Sequence, residues 1–197
     1  MDIDVHALTI SQDPFRRTDL KLTKRFVLTT AGVAAAAALL GATTGYATPS
    51  DPAPRPVKAP AALKVPDGNK LTAVFGARGV QTYTCTEGAW KLLEPAATLF
   101  DRRGRAVALH SRGPVWVSTV DGSAVNATAI ANSPKTGTIP ELLLQATATR
   151  GAGVFGGVSY IQRLNTSGGV APAGACTGTD QVSVAYSATY AFYKPAK

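Results

Sequence analysis

Residues 181–193 read QVSVAYSATYAFY. Val182, Val184, Tyr186, Ala188, Tyr190 and Phe192 share one parity, so six successive apolar side chains fall on one face of an extended strand. A helix would scatter the same residues around its circumference. The period of two returns upstream. Leu71, Ala73 and Phe75 alternate, as do Tyr83 and Cys85 after Gly79. Leu99-Phe100 and Ala106–Leu109 flank Asp101-Arg-Arg-Gly104, the pattern of a hairpin. Val115-Trp116-Val117 leads through Asp121-Gly122, a strong hairpin signal, to Ala124-Val125. Glu141–Arg150 (ELLLQATATR) is ambiguous. Pro140 could open a short helix there, whereas Thr147, Thr149 and Gly151 favour a strand. Gly and Pro recur about every ten residues, the punctuation of an antiparallel sandwich or barrel. The expected class is therefore all-β, a single antiparallel β-sandwich or barrel-like domain.

The domain does not extend over all 197 residues. Phe26–Leu40 is an uncharged apolar run preceded by Lys21, Lys24 and Arg25 and followed by Gly45-Tyr46-Ala47. A basic start, a short apolar core and small residues at the exit describe a secretory signal peptide over residues 1–47. The rival is a membrane anchor, since residues 26–47 could just span a bilayer. Their Ala, Gly and Thr content favours cleavage without stable membrane insertion. Residues 48–64 form a Pro-rich linker, extended and without a core of its own. Residues 65–197 form the β-domain, long enough for one core.

Residues 48–197 carry 15 Lys and Arg against 8 Asp and Glu, a net charge of +7. That balance favours anionic surfaces, and a cell-envelope or other extracellular polar ligand, such as an anionic glycan, is the partner it suggests. No Lys/Arg-rich helix or aromatic-basic motif appears, so nucleic acid is not expected. The two cysteines, Cys85 and Cys176, read as one disulfide of an exported protein. Closing so long a loop removes about 4 to 5 kcal/mol of unfolded-state entropy.

Several chemistries lack their residues. Gly151-Ala-Gly153-Val-Phe-Gly156 matches the dinucleotide fingerprint, yet Gly157-Val-Ser-Tyr-Ile-Gln162 follows it, strand-like where the chemistry needs a helix. A turn is expected there, and no cofactor. His110 is the only histidine after residue 47, so a metal site built from histidines is excluded and none is assigned. A Ser-His-Asp set is formally available from Ser111 or Ser123 with Asp121, without a nucleophile-elbow motif. Trp90, Trp116, Tyr83 and Tyr160 could stack on a sugar or, as we expect, form the core. Arg102, Arg103 and Arg105 read as a solvated hairpin tip.

In order along the chain, Val65-Pro-x-Gly68, Gly79-Val-Gln-x-Tyr83-x-Cys85, His110-x-x-Gly113-Pro114-x-Trp116, Asp121-Gly-Ser123, Ile139-Pro140-x-Leu-Leu-Leu144 and Tyr160-Ile-Gln-Arg163-x-Asn165-Thr166-x-Gly-Gly169-x-Ala-Pro172 resemble a secreted bacterial and fungal family, domain of unknown function 3455. The likeness covers residues 65–193. It implies an exported domain and no particular activity. Glu141 departs from the aromatic residue expected after Ile139-Pro140, which would make a pocket there more acidic. Within these motifs Gln81, His110, Trp116, Gln162 and Arg163 are the candidate ligand-binding residues. Alternation places Gln162 on the face of Tyr160 and Leu164, and Arg163 on the face of Ile161. The expected function is an extracellular binding or interaction module. The alternative is a small secreted hydrolase or lyase with His110 as base and Arg163 holding an anionic substrate group.

Overall fold

The computed structural model describes residues 53–196. The expected leader, residues 1–47, and the first part of the linker lie outside the described residues. Eight strands are found among the described residues: β1 (Asn69–Thr86), β2 (Ala89–Phe100), β3 (Ala106–Ser111), β4 (Val115–Ser118), β5 (Ala124–Ser133), β6 (Glu141–Arg150), β7 (Tyr160–Gly168) and β8 (Gln181–Pro195). Each pairs antiparallel with the next, and β8 returns to β1 to close a barrel. The all-β expectation holds, and of its two architectures the closed barrel is the one formed. Glu141–Arg150, ambiguous in sequence, is the strand β6.

The parity of β8 decides what fills the barrel. Tyr186, Ala188, Tyr190 and Phe192 are buried and face inward with Ala73, Ala77, Leu99, Ala108, Trp116, Val125 and Ile161. An eight-stranded barrel is just wide enough for side chains or one small ligand. Alanines therefore line much of the wall, and a few large rings occupy the middle. Gly79 lies where β1 meets Ala97 of β2 and Tyr186 of β8, and a Cβ there would overlap the Ala96–Ala97 backbone.

One end of the barrel is plugged. Phe155, fully buried, packs against Phe192 and Phe75 with ring centroids 4.8 and 6.5 Å away. Its loop is the glycine-rich stretch 151–157, which forms turns and no helix, as its context suggested. The Asp121 carboxylate accepts hydrogen bonds from Ser123 N, Ser123 Oγ and Val154 N. Ser123 Oγ in turn accepts one from Phe155 N. A Cβ on Gly153 would overlap that carboxylate, so the fingerprint spacing here serves loop packing. Burial opposes ionisation of Asp121 only weakly against these bonds, led by the Ser123 hydroxyl, and its carboxyl stays well below the usual range.

The Pro-rich segment differs from its expectation. Residues 57–65 are not coreless: Leu63, at the end of a 3-10 turn (Ala61–Leu63), is fully buried against Leu143 and Leu164 on the outside of the wall. Val57, Ala59, Val65 and Tyr160 surround it. The composition hid a short apolar register, because prolines dominate the stretch while Val57, Leu63 and Val65 make the contact. Leu63→Ala should lower stability by about 2 to 5 kcal/mol, the range for an emptied aliphatic site. An unchanged urea midpoint would mean that the strap contributes nothing.

At the other end the Cys85–Cys176 disulfide is formed. It ties the loop after β7 to the end of β1, where Cys85 N also bonds Asp180 O and Cys176 N bonds Gly88 O. The double change of Cys85 and Cys176 to Ser should cost about 4 to 5 kcal/mol, the loop-closure entropy of a 91-residue separation. Intact-mass measurement without reductant tests the bond itself, and thermal unfolding tests its contribution.

Candidate functional site

The end of the barrel opposite Phe155 is hollow. A cavity of about 340 Å3 opens between β2, the β3–β4 turn and β6, and Gln81, His110, Trp116 and Arg163 line it together with Tyr190. Four of the five expected site residues are thus brought together from β1, β3, β4 and β7. Gln162 is not among them. Alternation puts it on the outer wall, where its Nε2 donates to Leu63 O at 2.7 Å and its Oε1 accepts from Tyr193 Oη at 2.8 Å. Its partners hold the strap, so Gln162 is a structural amide beside a separate groove.

His110 and Trp116 are cross-strand partners on β3 and β4, and their rings stack in parallel, 4.2 Å apart at 6°. Tyr190 meets the stack edge-on at 5.4 Å. The His110 Nδ1 lies 2.9 Å from Val115 O, a pure acceptor, so Nδ1 carries the proton and Nε2 presents a lone pair. Nε2 has no hydrogen-bond partner among the described residues. Burial lowers the imidazole pKa to about 4; the bond to Val115 opposes that shift and the Arg163 charge adds to it. The ring is neutral at physiological pH.

Arg163 projects inward from β7 beside Ile161. Its Nε and Nη2 donate to Pro140 O at 3.2 and 2.9 Å, which fixes the guanidinium plane. Its charge also acts on Tyr83, Tyr186 and Tyr190, whose hydroxyls burial raises above the ordinary phenol value. No carboxylate pairs with Arg163 among the described residues.

Two atoms on the cavity wall are anomalous. Gln81 Oε1 and Trp116 Nε1 are buried and have no hydrogen-bond partner, with Gln81 2% and Trp116 1% exposed. Buried polar groups are almost always paired, and leaving one unpaired costs about 1 to 3 kcal/mol. Gly169 makes room for Gln81, because a Cβ there would press on Gln81 Cγ, Ile139 and Tyr186. The carbonyl of Gly169 is held by Tyr83 Oη at 2.6 Å. The stretch after β7 is therefore a rim whose glycine shapes the cavity.

The remaining expectations fall away from the cavity. Asp121 and Ser123 are bonded to each other at the plugged end, far from a triad with His110, whose ring bonds Val115 instead. Trp90 and Tyr160 are only partly buried, and neither lines the cavity that Trp116 lines. Glu141 does not line the cavity; its Oε1 accepts from Asn165 N at 2.7 Å. Asp101 organises the arginine turn, accepting from Arg103 N and Arg105 N and pairing with the Arg105 guanidinium at 2.7 Å. Glu94 is the carboxylate residue that lines the cavity. Tyr190 and Leu142 were missed as site residues. Tyr190 shares the inward parity of β8, but parity alone does not separate a packed core from a hollow one, and Leu142 sits in a run of three leucines that shows no alternation.

A family model described as "Protein of unknown function (DUF3455)" matches residues 66–194. No curated protein and no solved structure matches the chain.

The buried imidazole has a consequence for stability. Its folded pKa, about 4, lies below the ordinary 6.5, so between these values the unfolded chain binds the proton and the folded chain does not. Stability should be level above pH 6.5 and fall as pH drops from 6.5 to 4, by about 3 kcal/mol in all at 1.36 kcal/mol per unit. His110→Phe should flatten the curve across that window in urea titrations. A slope that survives this change would assign the effect to other groups.

Proposed function

The chain belongs to the DUF3455 family, which brings no activity with it, and from the site itself we propose that it is a binding module that holds a small organic molecule in the mouth of its barrel. The observation that carries this reading is that two residues lining the cavity from different strands, Gln81 and Trp116, each have an orphaned buried polar atom, Oε1 and Nε1. A bound molecule with a donor and an acceptor would pair both. Apolar walls with a few convergent polar groups are the usual make-up of such sites, and about 340 Å3 is near the small end of their range. That size favours a molecule of one or two rings over the extended anionic glycan suggested by net charge.

The hydrolase or lyase alternative has His110 and Arg163 in the same cavity, as it requires. An imidazole with a pKa of about 4 is nevertheless a weak general base near neutral pH, which favours binding over catalysis. The reading also takes the domain to work outside the cytoplasm. The Cys85–Cys176 bond supports this, since disulfides persist in oxidising compartments, and so does the leader-like composition of residues 1–47.

The test is a fragment panel read by thermal shift and by Trp116 fluorescence in a Trp90→Phe background. Ligands should quench Trp116, and Ala129→Phe at the cavity wall should abolish the effect. Gln81→Met, which removes the orphaned amide, should raise the stability of the empty protein by about 1 to 2 kcal/mol while weakening binding. Loss of stability in Gln81→Met, with no panel member sensing Ala129→Phe, would overturn the reading.

A further inference from the structure

Resting on that reading, we propose that the cavity selects a small aromatic carboxylic acid carrying a hydroxyl or ring N–H, with its carboxylate on Arg163 and its ring among the apolar and aromatic walls. The charge of the lining points to an anion. Arg112, Arg163 and Glu94 are its charged side chains, so with a neutral His110 the cavity holds a net single positive charge. Arg163, half-buried, is the cation that reaches in beside Tyr190, and no carboxylate among the described residues forms an ion pair with it. A guanidinium that lines a cavity with a net positive charge and has no ion-pair partner attracts an anionic group of the ligand, and a ligand that covers it would strengthen that pairing.

The donor set narrows the anion. Pro140 O takes Nε and one Nη2 proton, and among the described residues the neighbouring Tyr190 hydroxyl is the other acceptor for the guanidinium. Trp116 Nε1 is a second unpartnered donor on the same cavity. Two kinds of donor and a net positive lining suit an acceptor-only group, and a carboxylate is one. The acceptors left over, Gln81 Oε1 and His110 Nε2, call for a ligand hydroxyl or N–H elsewhere on the molecule. Between these poles lie Leu142, Leu144, Pro95 and Tyr190, a lining that suits a flat apolar body. Inorganic phosphate would satisfy Arg163 and leave that body's space and the acceptors unmatched.

The experiment compares acids with their neutral isosteres on the full protein. 4-Hydroxybenzoate and 4-hydroxycinnamate are titrated beside their primary amides, beside benzoate and cinnamate, and beside inorganic phosphate, following Trp116 quenching and heat of binding at pH 7. The hydroxy acids should bind at least tenfold tighter than their amides and several-fold tighter than the acids lacking the hydroxyl. Phosphate should neither quench nor compete. In Arg163→Gln the preference for the acid over its amide should collapse to near one, and Arg163→Lys should keep part of it. The wild-type acid and amide pair needs no variant, so a misfolded Arg163→Gln leaves the test intact. Equal binding of acid and amide, or competition by phosphate, would overturn the ligand class and leave the binding module standing. If other compounds quench Trp116 and none of these acids does, the ligand class falls alone; if nothing binds at all, both proposals fall.

Discussion

The ladder between β1 and β8, from Asn69–Pro195 at one end to Thr84–Gln181 at the other, closes the sheet on itself, and every inward-facing residue owes its neighbours to that closure. It joins the two ends of the domain and removes the unpaired strand edges that an open sheet would expose. It also forces a choice on the interior. Eight strands enclose a space too narrow for a second layer and too wide for alanine alone, so large rings must alternate with small wall residues. Ala77, Ala97 and Ala108 are small because Trp116, Tyr190 and Phe192 are large.

The filling is uneven along the barrel axis. Phe75, Phe155 and Phe192 close one end with ring-to-ring contacts, and the Asp121–Ser123 turn holds Phe155 there by its own backbone. The His110–Trp116 stack and Tyr190 form the floor of the hollow above. Gln81 Oε1 and Trp116 Nε1 beside the hollow have no partner among the described residues, while the Asp121 carboxylate and Ser123 hydroxyl at the plugged end are paired. A purely structural core would gain by replacing Gln81 with an apolar side chain, and the retention of its amide is a local conflict between stability and site of the kind seen where function shapes a protein.

Outside the wall, Gln162 and Leu63 show how a segment without regular structure becomes part of the domain. Leu63 enters an apolar patch on the outer face of β6 and β7, while its carbonyl is held by Gln162, whose own carbonyl is held by Tyr193. The buried amide is fully paired there, in contrast to that of Gln81. Two glutamines of similar burial thus have opposite roles, distinguished only by whether the protein supplies their partners.

The all-β class, the inward parity of β8, the Cys85–Cys176 pairing and the turn character of residues 151–157 were legible in the chain itself, because each depends on local periodicity or on a count of two cysteines. Gln81, His110, Trp116 and Arg163 could also be singled out, as polar or aromatic residues in strand-like motifs. Their meeting could not be, since it depends on the order and register of β1, β3, β4 and β7 around a closed barrel. Alternation separated Gln162 from Arg163 but did not say which face was inside, a decision made by closure and by the docking of Leu63 outside. Whether a ring of inward residues leaves a cavity is a matter of summed volumes across strands far apart in sequence, and periodicity along one strand carries no information about it.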